Sequence, residues 1–154
     1  MKTDEQLLSR AIDIAVEAHK QQQDKFGMPY LGHLTRVMNM GRSPDEKIVG
    51  ILHDLIEDTN WQLEDLQKEG FPPHILFAIS CLTKKDENEP YPEFIDRVKA
   101  SPLAVQVKLN DLSDNLDVKR MTVVTEKDVT RLNKYLAAYR TLAELSSNHH
   151  EAGS

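Results

Sequence analysis

Residues 51–60, ILHDLIEDTN, place four side chains able to hold a proton or a metal among Ile51, Leu52, Leu55 and Ile56, which belong in a core. On a helix turning about 100° per residue, Asp54, Glu57 and Asp58 stand about 100°, 40° and 140° around from His53, so the four share one polar sector. Burying that sector is unfavourable unless its charges are paired, and a divalent cation with water accepts both neutral imidazole and carboxylate. His53 and Asp54 are adjacent and cannot complete a metal shell, so further ligands must come from elsewhere in the chain; His33 and Asp111 are the best candidates. Two histidines with two carboxylates leave open positions on a six-coordinate ion. That set suits Mn²⁺ or Fe²⁺, with Co²⁺ or Mg²⁺ as alternatives, better than a closed thiolate zinc site. Such an ion would lower the pKa of a bound water and offset charge on a phosphorus centre, while Glu57 and Asp58 handled the water's proton. The plainer reading makes His53 and Asp54 a surface or capping pair and Glu57 and Asp58 a solvated helix end. Acids near a helix C-terminus oppose the macrodipole, which weighs towards function.

The elements that must position these groups are all helical. Leu7, Leu8, Ala11, Ile14, Ala15 and Ala18 recur at helical spacing, and Thr3 with Gln6 forms a capping box, so a first helix is expected over residues 3–23. A loop around Gly27 and Pro29 leads to a short second helix, carrying His33 near its start and closed by Gly41. Ser43-Pro44-Asp45-Glu46 supplies a cap and a first-turn proline for a third helix expected to run to about Asp58 or Thr59. WQLEDLQKEG, PPHILFAISCLTKK, YPEFIDRVKA and PLAVQVKLNDLSDNL suggest four more, and Thr125 caps a last one to about Leu145. No alternating strand pattern competes, so the class is all-α.

At 154 residues the chain fits one domain, expected over residues 1–146, with 147–154 as a disordered tail whose adjacent histidines are incidental. Twenty-five acidic against nineteen basic residues give a formal charge of −6. Without a local basic patch, that balance argues against a nucleic acid polymer as partner and leaves a small anionic substrate open. No apolar run approaches the ~20 residues that span a bilayer, and a soluble, cytoplasmic protein is expected. Cys81 lies among apolar neighbours and reads as a buried hydrophobe. His19 reads as structural and His74 as exposed or capping. Lys84 and Lys85 follow a helix end, where they would either complement the macrodipole or contact phosphate. Tyr30, after Pro29, would either pack or stack on a base. Asn115 falls one turn after Asp111 and shares its face.

Taken as an ordered set, His33 within GMPYLGHLTRV, the string from His53 and Asp54 through Glu57 and Asp58 to Thr59, and Asp111 within VKLNDLSDNL resemble the HD-domain phosphohydrolases. Within them the set is most similar to the hydrolase domain of the RelA/SpoT family and its small stand-alone relatives, a likeness spanning residues 11–133. The resemblance implies an HD-domain helical bundle of about seven to eight helices, with His33, His53, Asp54 and Asp111 holding one Mn²⁺ and with Glu57 and Asp58 orienting and activating the attacking water. It implies cleavage of the 3′-diphosphate from guanosine tetra- or pentaphosphate, with Lys25 and Asn115 at the family's basic and asparagine contacts to the nucleotide. The chain departs from the family pattern at Asp24, where an arginine usually helps to hold guanine, and at Leu112 and Asp114, which replace a basic residue and a His or Tyr. Another nucleotide or phosphoester is therefore an alternative substrate for the same metal chemistry. A metal- and nucleotide-binding module without catalysis is a third reading, against which Glu57 and Asp58 argue.

Overall fold

The computed structural model describes residues 1–152, with side chains described to Ser147. Helix α1 (Asp4–His19) starts where expected: the Thr3 hydroxyl accepts from the Gln6 amide, and the Gln6 side chain accepts from the Thr3 amide. It stops four residues short of the expected end. Residues 20–30 form a loop pinned by an isolated antiparallel bridge between Gln23 and Pro29, with Gly27 at a positive φ of 79°. The Asp24 carboxylate accepts from the amides of Phe26 and Met28 and closes that loop.

Helix α2 (Leu31–Met40) ends at Gly41, and Ser43 caps α3 (Pro44–Leu52) by accepting from the Glu46 amide. α3 lies at the centre, packed on α1, α2, α6 and α8, and its residues 48–52 are all buried. The expected single helix over 44–58 is interrupted: His53 and Asp54 form a turn before α4 (Leu55–Asp58) begins. The cause is local. His53 Nδ1 bonds the Gly50 carbonyl at 2.7 Å, which the Asp54 amide would claim in an unbroken helix, and Asp54 falls back to φ −103°, ψ 2°.

The remainder follows the sequence's caps and prolines: α5 (Leu63–Lys68), α6 (Pro73–Cys81), α7 (Tyr91–Val98) and α8 (Pro102–Asn115), the last capped by Ser101. A 3₁₀ turn (Val118–Arg120) precedes α9 (Glu126–Ala152), which lies along α8. Thr125 and Asp128 form its capping box. α9 extends past the expected end at Leu145, and of the expected tail, residues 153–154 lie outside the described residues. The described residues form nine α-helices, counting the four-residue α4, and no strand. One apolar core, including Leu7, Leu34, Ile48, Ile51, Leu55, Leu66, Ile79, Phe94, Leu112 and Leu142, draws on every one of these helices. Cys81 is buried in it, and burial raises its thiol pKa. No helix among the described residues is long and apolar enough to cross a membrane.

Candidate metal centre

The break after α3 turns Asp54 back against His53, and α2 and α8 bring two more groups to the same spot. His53 Nε2 stands 3.2 Å from Asp54 Oδ2 and 3.4 Å from Asp111 Oδ1, while His33 Nε2 is 3.0 Å from Asp111 Oδ1. One donor atom each from His33, His53 and Asp54 lies within 4.8 Å of the others. All four side chains are at least four-fifths buried, and the two imidazoles meet edge to face at 5.5 Å. The sequence thus named four groups that converge.

The tautomers follow from the outer bonds. His53 Nδ1–H donates to the Gly50 carbonyl and His33 Nδ1–H to Asp114 Oδ2 at 2.7 Å, so each ring turns Nε2 inwards. His53 Nε2 is buried and has no hydrogen-bond partner among the described residues. A bare lone pair facing two carboxylate oxygens needs a cation between them, either a proton or a metal, and two imidazoles with two carboxylates form a donor set for a divalent ion. The residues therefore fit a metal. Burial opposes charge on both rings, but the carboxylates outweigh it: Asp111 and Asp114 raise the His33 pKa, and Asp54 and Asp111 raise that of His53 further. Burial likewise opposes ionisation of Asp111, yet Lys108 and His53 hold it well below the usual carboxylate range.

Lys108 is the partner that the sequence reading missed. Its ammonium, one turn before Asp111 on α8, is 2.8 Å from Asp111 Oδ2, while Asn115 donates to Oδ1 at 3.2 Å. An i, i+3 pair inside the VKLND string was the available signal. Tyr30, offered as a packing or stacking residue, packs against the core; its hydroxyl also donates to Asp54 Oδ2, and its ring leans on His33 and His19. Burial and the Asp54 charge raise its pKa.

Two recesses open at this centre and share Tyr30, Asn115 and Tyr135. The smaller, about 160 Å³, is lined by His53, Asp54, Glu57 and Asp111 with Lys84, Lys108 and Lys134 around them. The larger, about 270 Å³, is lined by Lys25, Arg36, Arg120 and Arg131, with Asp24, Asp114 and Phe26 on the same wall. Cations crowd both: burial, then Lys84, Lys108 and Arg131, depress the Lys134 pKa, and burial with Arg131 and Arg120 depresses that of Lys25. An acidic chain thus keeps local positive charge where an anionic ligand would sit. Arg131, Lys134 and Tyr135 come from α9, and no spacing to the motifs pointed to them.

The remaining candidates divide. Glu57 faces the smaller recess, and its Oε1 accepts from the Lys84 amide at 2.6 Å. Asp58 does not line that recess; with Lys84 and Lys85 it lines an adjoining groove. Burial, with Asp54 and Glu57 nearby, pushes the Asp58 carboxyl up to about 6. Lys85 is exposed in the groove and stands off from the four converging groups. His19 is buried and bonds Gln22, and His74 pairs with Asp45 on the surface.

No protein-family model matches the chain. Among curated proteins it is 28% identical over 148 residues to a GTP pyrophosphokinase of Streptomyces coelicolor, covering 88% of this chain and 17% of that protein. It is also 28% identical over 138 residues to a guanosine-3′,5′-bis(diphosphate) 3′-pyrophosphohydrolase of Aquifex aeolicus, covering 82% and 19%. The chain spans less than a fifth of the length of these relatives. Among solved structures it superposes on a metazoan ortholog of SpoT, described as hydrolysing ppGpp and playing a role in starvation responses. The TM-score is 0.74 at 22% identity, over 88% of this chain and 84% of that one. In sequence and in its all-α fold, the chain resembles a ppGpp hydrolase-like HD domain.

Proposed function

We propose that this chain is a metal-dependent phosphohydrolase of a nucleotide polyphosphate, acting as a guanosine-3′,5′-bis(diphosphate) 3′-pyrophosphohydrolase. The observation that carries the reading is the buried His53 Nε2, unpartnered among the described residues and facing the carboxylates of Asp54 and Asp111 beside a recess ringed by lysines. His33, His53, Asp54 and Asp111 would hold one divalent cation, Mn²⁺ in our reading, with Fe²⁺, Co²⁺ or Mg²⁺ as alternatives. When bound, it would supply Lewis-acid charge and a water of lowered pKa.

The chain's own residues do the rest. Glu57, at the rim of the recess, orients the attacking water and takes its proton, and Asp58, with a carboxyl poised near neutrality, relays that proton outwards. Lys84, Lys108 and Lys134 offset phosphate charge, with Lys85 at the outer edge. Lys25, Arg131, Tyr135 and Asn115 hold the nucleotide in the larger cleft. The substrate is thus a small molecule, and the setting cytoplasmic.

One observation favours a second reading, in which another nucleotide or phosphoester is cleaved by the same groups: the acid at position 24 is committed to its own loop and offers no cation to a guanine. Turnover of a nucleotide panel with Mn²⁺ separates the two. Guanosine tetraphosphate should be cleaved with release of pyrophosphate; if it is untouched while another nucleotide turns over, the second reading replaces the first. In the same assay Glu57→Ala should lower turnover by at least ~100-fold, as loss of a general base does, with bound metal retained. Unchanged turnover would remove Glu57 from the chemistry.

A further inference from the structure

We infer that Asp114 is a positioning residue of the metal centre: its buried carboxylate fixes the His33 ring with Nε2 turned towards Asp111. The inference rests on the metal-centre reading above. Asp114 is 3% exposed and accepts five side-chain bonds. They come from His33 Nδ1 at 2.7 Å, Arg36 Nε at 2.7 Å and Nη2 at 3.2 Å, and Arg120 Nη1 and Nη2 at 3.4 Å each. Arg120 also donates to the Asp114 carbonyl at 3.1 Å.

A neutral imidazole can carry its proton on either nitrogen, and the bond to the outer nitrogen decides which. A carboxylate at Nδ1 selects Nδ1–H, aims the ring and increases the basicity of Nε2, which faces Asp111. Asp114 meets the ring at Nδ1, whereas Asp111 meets it at Nε2, so Asp114 is an orienting group and not one of the inner four. The two guanidiniums make its burial tolerable: an unpaired buried carboxylate would be destabilising and would draw a proton, losing its strength as an acceptor. His33 and Arg36 lie one turn apart on α2, so a single residue of α8 grips both.

The competing account is that Asp114 only staples α2 to α8 through Arg36. Arg36→Ala separates the two, because it breaks the staple and leaves the Nδ1–H bond to His33. Mn²⁺ dissociation constants measured by competition with a chromogenic chelator, with melting temperatures recorded alongside, give the answer. Asp114→Ala should weaken Mn²⁺ binding by ~10–100-fold, the usual cost of losing an outer partner of a ligating histidine. Asp114→Asn, which can still accept one bond, should fall between it and the wild type. Arg36→Ala should melt earlier yet bind Mn²⁺ within about threefold of the wild type.

A folded Asp114→Ala that binds as the wild type does, or an Arg36→Ala that loses as much affinity as Asp114→Ala, overturns the inference. If Asp114→Ala does not fold, the isosteric Asp114→Asn decides: weaker binding supports the inference and unchanged binding sinks it. A wild-type chain that binds neither Mn²⁺ nor another divalent cation defeats the metal-centre reading itself and this inference with it. That outcome is distinct from a wild type that binds beside an unaffected variant.

Discussion

The two histidines at the centre are held in opposite ways. His53 stands in the core at the end of α3, and its outer nitrogen bonds a main-chain carbonyl, Gly50, three residues back on the same helix. His33 stands at the start of α2, and its outer nitrogen bonds a side chain from α8 that two arginines of the larger cleft also grip. One half is therefore fixed by backbone that no substitution at the partner can remove. The other is fixed by charged side chains that line a ligand cleft. Only a bound anion that drew both Arg36 and Arg120 off Asp114 would act on the His33 half, and it would leave the His53 half alone.

The most damaging way to probe this contrast is His53→Ala. It removes one of the four proposed ligands and frees the Gly50 carbonyl for the Asp54 amide, so α3 can run on and swing Asp54 away. Mn²⁺ affinity should fall by more than the ~100-fold upper end expected for an outer partner. A variant that keeps affinity within tenfold of the wild type would make His53 a packing residue and dissolve the comparison.

A gentler probe acts on the spacing between the halves. Gly50 sits where α3 meets α2: a Cβ there would come within 3.2 Å of Met38 Cα, 3.3 Å of its nitrogen and 3.4 Å of the Val37 carbonyl carbon. These are backbone atoms that cannot rotate aside. Gly50→Ala must therefore push apart the helices that carry His33 and His53. Overpacking of this kind destabilises by about 1–3 kcal/mol, and we expect a lower melting temperature together with roughly tenfold weaker Mn²⁺ binding. A melting shift with unchanged affinity would show that the His33 half follows α3 instead of standing apart from it.

The same contrast sorts what was legible in the sequence. Helix starts at Thr3, Ser43 and Thr125 were legible because caps and first-turn prolines act through neighbours in the chain. His53 and Asp54 were legible because their types are costly in apolar surroundings, and His33 and Asp111 through the ordered set of motifs they complete. The interruption at His53 was not, since Ile51, Leu52, Leu55 and Ile56 keep helical spacing and the break arises from a side chain capturing a carbonyl. The wall was hidden as well. Arg36, Arg120, Arg131, Lys134 and Tyr135 lie on α2, the 3₁₀ turn and α9, and only the packing of α2, α8 and α9 brings them to the two adjoining recesses. Even Asp114 read as a mere departure from a pattern, because its role depends on a histidine 81 positions away.

The smallest expected effect tests whether the halves are truly separate. Tyr30 precedes His33 by three residues, yet its hydroxyl serves Asp54, which belongs to the other half. It thus ties the entrance of α2 to the turn after α3. Tyr30→Phe removes one hydrogen bond to a charged acceptor, of the kind worth ~1.5–3 kcal/mol, but a cation at the proposed centre would also hold Asp54 and absorb part of that loss. Mn²⁺ affinity should therefore fall by only about threefold to tenfold, less than for Asp114→Ala. The decisive quantity is the double-mutant cycle with Asp114→Asn. Independent halves give additive losses, within about 0.5 kcal/mol. A larger interaction energy means that Tyr30 transmits the His33 ring position to Asp54, and the centre then responds as one body to whatever occupies the cleft.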